Sequence, residues 1–311
     1  MLTNKRDKYI IIKQIKNLYF KEKTKMKKII SLGLLTVMLV SLVFCFASCG
    51  GTETDTDVVK YVKVKLTDEQ YAYGVNKDDA ELLATVNKVL ADLKDSKELD
   101  AIVNKYFSND EANIKTFSAG TEDPSKKQLV VATNTPFSPF EYKKGDKFCG
   151  IDIEIAALIA EEMGAELVIK DMSFESILTA VDTGKADIAM AGLTISEDRK
   201  ELVNFSDTYY NASQVVIVKA DDTTFDACTE AADVEAILNS KGKETIVGYQ
   251  NGTTGGLYVE GDEDWGFAGF PVTARGYDSA VSATQALVNG QIDYVVVDEG
   301  PAQIIVKSMN E

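Results

Sequence analysis

The sequence predicts an α/β fold built from two similar lobes. Strands and helices alternate from Gln128 onward, which is typical of a parallel sheet with helices on both faces. The pattern begins again after a long apolar strand, "ASQVVIVKA", that is suited to cross from one lobe to the other. A chain of 311 residues, 45% of them hydrophobic, is also long enough to form two domains.

Ahead of this alternating region, the sequence predicts two short strands and two helices. Val62–Leu66 and Tyr71–Val75 have the composition of short strands. Asp78–Asp95 carries apolar residues at helical spacing, and a second helix follows over Glu98–Tyr106. Residues 118–127 are polar and contain Gly and Pro, so we interpret them as a linker.

The alternating region supplies most elements of both lobes. The first lobe, 128–214, has in order the strand "QLVVAT", a helix over Asp152–Met163, the strand "ELVIK", a helix over Phe174–Val181 and the strand "ADIAM". The second lobe, 215–311, has a helix over Ala231–Asn239, the strand "TIVGY", a helix over Tyr277–Val288, the strand "IDYVVV" and a last helix from Pro301. Glycine stands shortly after three of these helices, which is typical of helix ends.

The composition excludes several classes of function. The chain contains no His, so Ser-His-Asp triads, Cys-His nucleophile pairs and histidine zinc sites are excluded. The first 49 residues hold 10 of the 33 Lys and Arg residues and 2 of the 49 Asp and Glu residues, which leaves a net charge of −24 on the remainder. Because such a surface repels phosphate backbones, we expect no nucleic-acid partner.

Residues 26–49 have the composition of an export signal. They combine a basic start, an apolar run and small residues before Cys49, and "FASC" resembles a bacterial lipobox in which Cys49 would carry a lipid. An uncleaved membrane span is the alternative, because Ile29–Ala47 is almost long enough to cross a bilayer. We expect a lipoprotein signal peptide over 26–49 with Met26 as the true start, residues 1–25 as a mis-assigned upstream extension and residues 50–57 as a tether.

Two cysteines remain for the folded part of the chain. Cys149 and Cys228 fall in segments that we assign to different lobes, so we expect two free thiols. A disulfide is the alternative, because export would permit one.

Five motifs together resemble the polar-amino-acid family of type II periplasmic binding proteins. They are "LVVATNTPFSPFEY", "GDKFCGIDIEIAALIAEEMG", "ADIAMAGLTISEDRKELVNFSDTYY", "GYQNGTTGG" and "IDYVVVDEGPAQ". The resemblance covers about 126–311. It implies two lobes joined by two hinge crossings, which close on an amino acid and present it to the permease of an ABC importer. It implies no catalytic step and no cofactor or metal, and we expect a monomer on the outer face of the cell membrane.

The chain order departs from that family. The last family motif is normally followed by an edge strand, a return strand and two helices that end in "KYF", and here residues 58–117 carry these elements at the front. We therefore expect a circular permutant, with 58–68 as the edge strand of the second lobe and 69–117 as the closing strand and helices of the first. The alternative is a remnant of a duplicated domain, but that would leave the first lobe with exposed apolar surface.

The resemblance also assigns a site for the ligand's α-carboxylate. Arg199 lies within the first turns of the helix opened by "TISEDR", where it would pair with the carboxylate, while Thr194 and the Gly192 carbonyl contact the zwitterion. The N–H groups of "NGTTGG", with Thr253 and Thr254, would complete this site from the second lobe.

Asp298 is the expected partner of the α-ammonium group. It stands at the C-terminal end of the strand "IDYVVVD", where ligand crevices open in α/β sheets. The alternative role is an N-cap of the following helix, for which Asp is a preferred residue.

Four residues are expected around the side chain of the ligand. Phe137 and Phe174 correspond to the family's aromatic walls, whereas the neighbouring Phe140 is expected in the core. Asn134 matches a position where members that bind basic or amide side chains commonly carry Asp, and Gln250 points to the same region. Because the acid is absent, we expect an uncharged polar ligand such as glutamine, with histidine and cystine left open.

Two other functions are compatible with the same fold. A cyclohexadienyl-type dehydratase also uses an Arg for its substrate carboxylate, and it would need a general acid, for which Glu141 is a candidate by residue type. An extracellular sensor module is the third interpretation, and we rank it below transport because no signalling segment follows the second lobe.

Overall fold

The computed structural model describes residues 57–311. The expected signal peptide, the lipidation site at Cys49 and the tether up to residue 56 lie outside the described residues. Among the helices of residues 57–311, none has both the length and the hydropathy of a membrane span.

The described residues form fourteen strands and nine α-helices. The strands are β1 (Val59–Tyr61), β2 (Glu69–Tyr71), β3 (Gly74–Asn76), β4 (Gln128–Thr133), β5 (Tyr142–Lys144), β6 (Lys147–Cys149), β7 (Glu166–Asp171), β8 (Ile188–Ala189), β9 (Val203–Phe205), β10 (Tyr210–Ala212), β11 (Gln214–Lys219), β12 (Ile246–Gln250), β13 (Thr273–Tyr277) and β14 (Tyr294–Asp298). The helices are α1 (Ala80–Asp95), α2 (Glu98–Phe107), α3 (Ile151–Met163), α4 (Ile177–Asp182), α5 (Glu197–Lys200), α6 (Ala231–Asn239), α7 (Thr254–Glu260), α8 (Ala280–Val288) and α9 (Glu299–Asn310), with a 3-10 turn at Phe174–Ser176 before α4.

Lobe 1 is built on a five-stranded sheet in the order β7-β4-β8-β3-β9. Only β7, β4 and β8 are parallel, because β3 enters between β8 and β9 and pairs antiparallel with both. Helices α1 and α2 pack on α3 over this sheet. Helix α1 buries Leu82, Val86 and Leu90, and each such side chain contributes about 1.5–3 kcal/mol through burial.

Lobe 2 is built on a second five-stranded sheet in the order β1-β11-β14-β12-β13. Strands β14, β12 and β13 are parallel, whereas β11 and the edge strand β1 run antiparallel to their neighbours. The expected α/β fold of two lobes is confirmed, and each sheet combines the expected parallel strands with antiparallel ones. The antiparallel strands involve the segment before residue 118: β1 pairs with β11 in lobe 2, and β3 pairs with β9 in lobe 1.

The two lobes are joined by the antiparallel pair of β2 and β10, in which Tyr71 lies opposite Tyr210. We expected a single strand over Tyr71–Val75, but the chain forms β2 and β3 instead. The break falls at Ala72, whose N–H donates to the carbonyl of Leu193 rather than to a ladder neighbour.

Several other element boundaries differ from the sequence-based expectation. Helix α1 begins at Ala80 rather than at Asp78, and the expected helix Phe174–Val181 is a 3-10 turn followed by α4. The expected strand Val62–Leu66 is wrong in position: the strand is β1, and residues 62–66 only follow β11 through single backbone hydrogen bonds from Val62 and Leu66. The expected helix from Tyr277 begins at Ala280, because Tyr277 ends β13 and the Ser279 hydroxyl caps the helix.

The last helix begins at Glu299 rather than at Pro301.

Phe140 is fully buried, as expected of a core residue, and Cys149 and Cys228 are both free thiols.

Candidate functional site

Nine of the ten expected ligand-binding residues line one small cavity between the lobes. They are Phe137, Phe174, Gly192, Thr194, Arg199, Gln250, Thr253, Thr254 and Asp298. The lobes are closed so tightly around these residues that only about 10 Å³ remains for the centre of a water-sized sphere. The site therefore joins segments that are distant in sequence, as a crevice between two lobes requires.

Arg199 is held by backbone carbonyls from both lobes. It lies in the short helix α5, whose N-cap Ser196 accepts a hydrogen bond from the Arg199 N–H. Its Nη1 donates to the carbonyl of Thr194 at 2.8 Å, and its Nη2 donates to the carbonyl of Gly252, in lobe 2, at 3.2 Å. The guanidinium is buried, and burial lowers the pKa of Arg199.

No Asp or Glu of residues 57–311 forms an ion pair with Arg199. A buried cation without an anionic partner is costly, so the arrangement is suited to a ligand that brings its own negative charge. Two aromatic rings cover the guanidinium, Phe174 at 5.5 Å and Trp265 at 5.3 Å from the ring centroids.

Asp298 faces the cavity from the end of β14. Its Oδ1 accepts hydrogen bonds from the Tyr71 hydroxyl at 2.5 Å and from Gln214 Nε2 at 2.9 Å. Burial first, and then the charge of Glu69, raise the pKa of Asp298 to about 7. Asp298 occupies the N-cap position of α9, but its side chain makes no capping hydrogen bond, so the carboxylate is directed to the cavity side instead.

Glu69 is a site residue that sequence reasoning missed. Its Oε2 accepts from the Thr194 hydroxyl at 2.6 Å, and its Oε1 accepts from the Thr67 hydroxyl at 2.6 Å and from Gln214 Nε2 at 3.0 Å. Gln214 therefore bridges the two buried carboxylates of Glu69 and Asp298. Glu69 and Tyr71 alternate along β2, so strand periodicity could have paired them as inward-facing residues.

The loop "NGTTGG" lies where β12 meets α7. Gly252 has a φ of +72°, and a Cβ there would lie 2.7 Å from Cγ of Glu175, so this turn requires glycine. The Thr253 hydroxyl donates to the carbonyl of Gln250 at 2.8 Å, while Thr254 is buried at the start of α7. Both threonines line the cavity, as expected.

Asn134 is the one expected residue outside this cavity. Its Nδ2 donates to the carbonyl of Met172 at 2.6 Å, and its Oδ1 accepts from Gln250 Nε2 at 2.8 Å. It therefore ties lobe 1 to lobe 2, beside a wider cavity that also contacts Asp171. Gln250 Oε1 is buried and has no hydrogen-bond partner among the described residues.

Glu141 does not face the cavity. It is fully buried in lobe 1, and neither carboxyl oxygen has a hydrogen-bond partner in the described part of the chain. Burial, and then the charge of the nearby Asp152, raise its pKa well above the usual range of a carboxyl. Asp152 supports the cavity wall, because its Oδ2 accepts from the Gly192 N–H at 2.9 Å.

Comparison with known proteins gives relatives that bind amino acids. "Arginine-binding extracellular protein ArtP" of Bacillus subtilis is 35% identical over 136 residues, which is 44% of this chain and 48% of that protein. "ABC transporter arginine-binding protein 1" of Escherichia coli is 29% identical over 188 residues, or 60% of this chain and 69% of that protein. The chain thus matches about half the length of the first relative.

A solved structure also resembles this chain. It is an ancestral arginine-binding protein bound to arginine, with a TM-score of 0.50 and 33% identity, covering 59% of this chain and 75% of that one. The model for bacterial extracellular solute-binding proteins of family 3 matches residues 129–292, which is more than half of the chain. The chain therefore belongs to the family 3 bacterial extracellular solute-binding proteins.

Proposed function

We propose that this protein captures a free polar amino acid between its lobes and delivers it to an ABC importer. The observation that carries the proposal is one buried cavity lined by both an unpaired cation, Arg199, and a carboxylate, Asp298. A zwitterionic amino acid complements both charges, with its carboxylate on Arg199 and its ammonium on Asp298. Extracellular and ABC-transporter relatives support the transport role.

The buried, unpartnered Oε1 of Gln250 supports a ligand whose side chain donates an N–H. Glutamine fulfils this requirement and remains the expected ligand. Arginine is the second candidate. The side chain of Asn134 is bonded to Met172 and Gln250, so the absence of an acid at position 134 is only a weak argument against a cationic ligand. The arginine-binding relatives favour the same candidate.

Hinge closure is the mechanism that we propose for capture. The closed lobes are held by the hydrogen bonds from Gln250 to Asn134 and from Arg199 to Gly252, while β2 and β10 form the connection about which they would move. Closure removes the ligand from water, which strengthens its contacts with Arg199 and Asp298. The closed form then offers the permease a surface that the open form lacks.

We further propose that Cys49 anchors the protein to the outer face of the membrane through a lipid. A sensor that uses the same lobes is the alternative, and it would bind the ligand without passing it to a permease. The dehydratase alternative requires a general acid at the substrate, and the burial of Glu141 away from the cavity weighs against that role. Mass spectrometry of arogenate or prephenate after incubation tests it directly.

We also propose that the chain is a circular permutant of its family. The support is the position of two strands: β1 forms the edge of the lobe 2 sheet, and β3 lies inside the lobe 1 sheet between β8 and β9. The family model covers residues 129–292, so both strands come from outside the matched region.

A thermal-shift screen of the twenty amino acids, after unfolding and refolding to remove any carried ligand, tests the function. A ligand present at 100 times its Kd stabilises the folded state by roughly 2.7 kcal/mol, which is a measurable shift. We expect glutamine or arginine to raise the melting temperature. A panel in which no amino acid stabilises the protein would contradict the proposal.

A further inference from the structure

Trp265 contacts the guanidinium of Arg199 from the opposite lobe. Phe174, in lobe 1, covers one side of Arg199 at 5.5 Å, and Trp265, in lobe 2, lies 5.3 Å from its Cζ. Cation–π contacts of this kind are stronger at desolvated sites, and the Arg199 guanidinium is buried. Aromatic rings from both lobes therefore lie beside the same guanidinium.

The loop that carries Trp265 has a defined shape. Asp262 and Phe267 exchange two backbone hydrogen bonds, and Asp262 Oδ1 accepts from the Trp265 N–H at 3.1 Å. Gly269 closes the loop with a φ of +68°, and a Cβ there would lie 2.4 Å from the carbonyl oxygen of Glu260. The Trp265 ring stacks on Phe267 at 6.1 Å. The indole is therefore presented by a structured loop.

We propose that Trp265 is a positioning residue for Arg199 that links lobe closure to recognition of the ligand's carboxylate. The inference rests on the proposed function. The guanidinium is anchored to two carbonyls, and the two nearby rings restrict its rotation and exclude water, which leaves its remaining N–H groups for a ligand in the cavity that Arg199 lines. Because Trp265 belongs to lobe 2, this arrangement is complete only when the lobes are closed.

The test compares ligands with and without the carboxylate. Calorimetry measures the affinity of L-arginine and agmatine, and of L-glutamine and 4-aminobutanamide, for the unsubstituted protein, Trp265→Leu and Trp265→Phe. We expect Trp265→Leu to weaken binding of the amino acid roughly ten-fold and binding of the matched amine less than two-fold, because only the amino acid uses Arg199. Trp265→Phe, which keeps an aromatic face, should retain most of the affinity.

Two controls separate positioning from loop packing. Phe267→Leu removes a ring from the same loop that does not contact Arg199, so it should change the affinities of amino acid and amine equally. In an Arg199→Lys background, Trp265→Leu should weaken amino-acid binding less than two-fold, because the flat guanidinium is gone.

The outcomes distinguish this inference from the proposed function. Equal losses for amino acid and amine in Trp265→Leu, or no loss at all, would overturn the role of Trp265 while leaving amino-acid capture intact. If the unsubstituted protein binds none of the twenty amino acids, the proposed function fails and the role of Trp265 fails with it. The chain has one Trp, so ligand-dependent protection of its fluorescence from acrylamide provides a second readout of closure.

Discussion

The Tyr71 hydroxyl donates a hydrogen bond of 2.5 Å to the carboxylate of Asp298, across 227 positions of sequence. Tyr71 belongs to β2, which pairs with β10 between the lobes, whereas Asp298 ends the central strand of lobe 2. The proposed ammonium site therefore combines residues from the segment before the linker and from the last sheet strand. Residues 58–117 contribute to the site as well as to the two sheets.

Loss of the buried charges should abolish tight binding. Arg199→Ala should cost on the order of 3–5 kcal/mol of binding free energy, because the ligand's carboxylate would be buried without its cation. Asp298→Ala should have a similar effect through the ammonium. Calorimetry with the amino acid found in the screen measures both, and the exposed Arg275→Ala is the matched control. Near-normal affinity in either site variant would show that the ligand binds elsewhere.

Binding should depend on pH through Asp298. Burial raises its pKa to about 7, and the groups around it are Glu69, Tyr71 and Arg199. Since the ammonium requires the ionised carboxylate, affinity should be about ten-fold lower at pH 6 than at pH 8, with proton release on binding near pH 6. Asp298→Asn should remove this dependence. Calorimetry in two buffers of different ionisation enthalpy detects the released proton, and an affinity independent of pH would contradict this assignment.

The stability of the ligand-free protein should fall as pH rises from about 4 to 7. Burial raises the pKa of Asp152 to about 6 and that of Asp298 to about 7. Between the unfolded and folded pKa values, the native state binds more protons than the unfolded state, so raising the pH favours unfolding. Urea unfolding at several pH values measures the slope. Asp152→Asn should reduce the dependence of stability on pH, whereas Asp78→Asn, at an exposed position, should leave that dependence unchanged.

Gly192→Ala should impair both stability and binding. Gly192 has a φ of +56°, and a Cβ there would lie 2.7 Å from Cε1 of Phe137 and 3.2 Å from Cε2 of Tyr71, which are both rigid rings. Gly145→Ala is the control, because its φ of +62° brings similar backbone strain while nothing lies within 4 Å of the added Cβ. Both variants should lose about 1–2 kcal/mol of stability from strain. Only Gly192→Ala should also weaken amino-acid binding. Equal binding by the two variants would contradict the assignment of Gly192 to the ligand site.

Asn134→Asp tests whether this position selects the ligand's side chain. The substitution keeps an acceptor for Gln250 but removes the donor to the Met172 carbonyl, so a loss of about 1–3 kcal/mol of stability is expected. The added negative charge should shift preference toward Lys or Arg. An affinity panel of the twenty amino acids measures the shift. An unchanged rank order would mean that the ligand's side chain does not reach Asn134.

The proposed permutation predicts that chain order can be restored. Moving 58–117 behind Glu311 through a short linker, with the old joint deleted, should give a protein of similar stability that binds the same amino acid. Linker length should matter little, because closure entropy grows slowly with length. Deleting 50–117 should instead prevent folding, since β3 lies inside the lobe 1 sheet. A reordered chain that fails to fold, beside a deletion that folds, would contradict the permutation.

The sequence by itself determined the class of fold and most of the candidate site. Alternating elements and five motifs predicted two α/β lobes, and nine of the ten residues assigned from those motifs line the same cavity. The fold was predictable because strand and helix periodicities are local, whereas the residues of the candidate site were assigned by their resemblance to family motifs, in which residues such as Arg199 and Asp298 stand at the ends of elements.

Tertiary structure alone decided that Glu69, Tyr71 and Trp265 reach the site. Glu69, Tyr71 and Trp265 lie in segments whose local sequence indicates only a short strand or a loop, yet two of them contact Asp298 or Thr194 and the third covers Arg199. Asn134 was expected beside the ligand, but Gln250 engages it across the cleft. Pairing between distant segments depends on the packing of whole lobes, and that packing has no periodic signature in a single sequence.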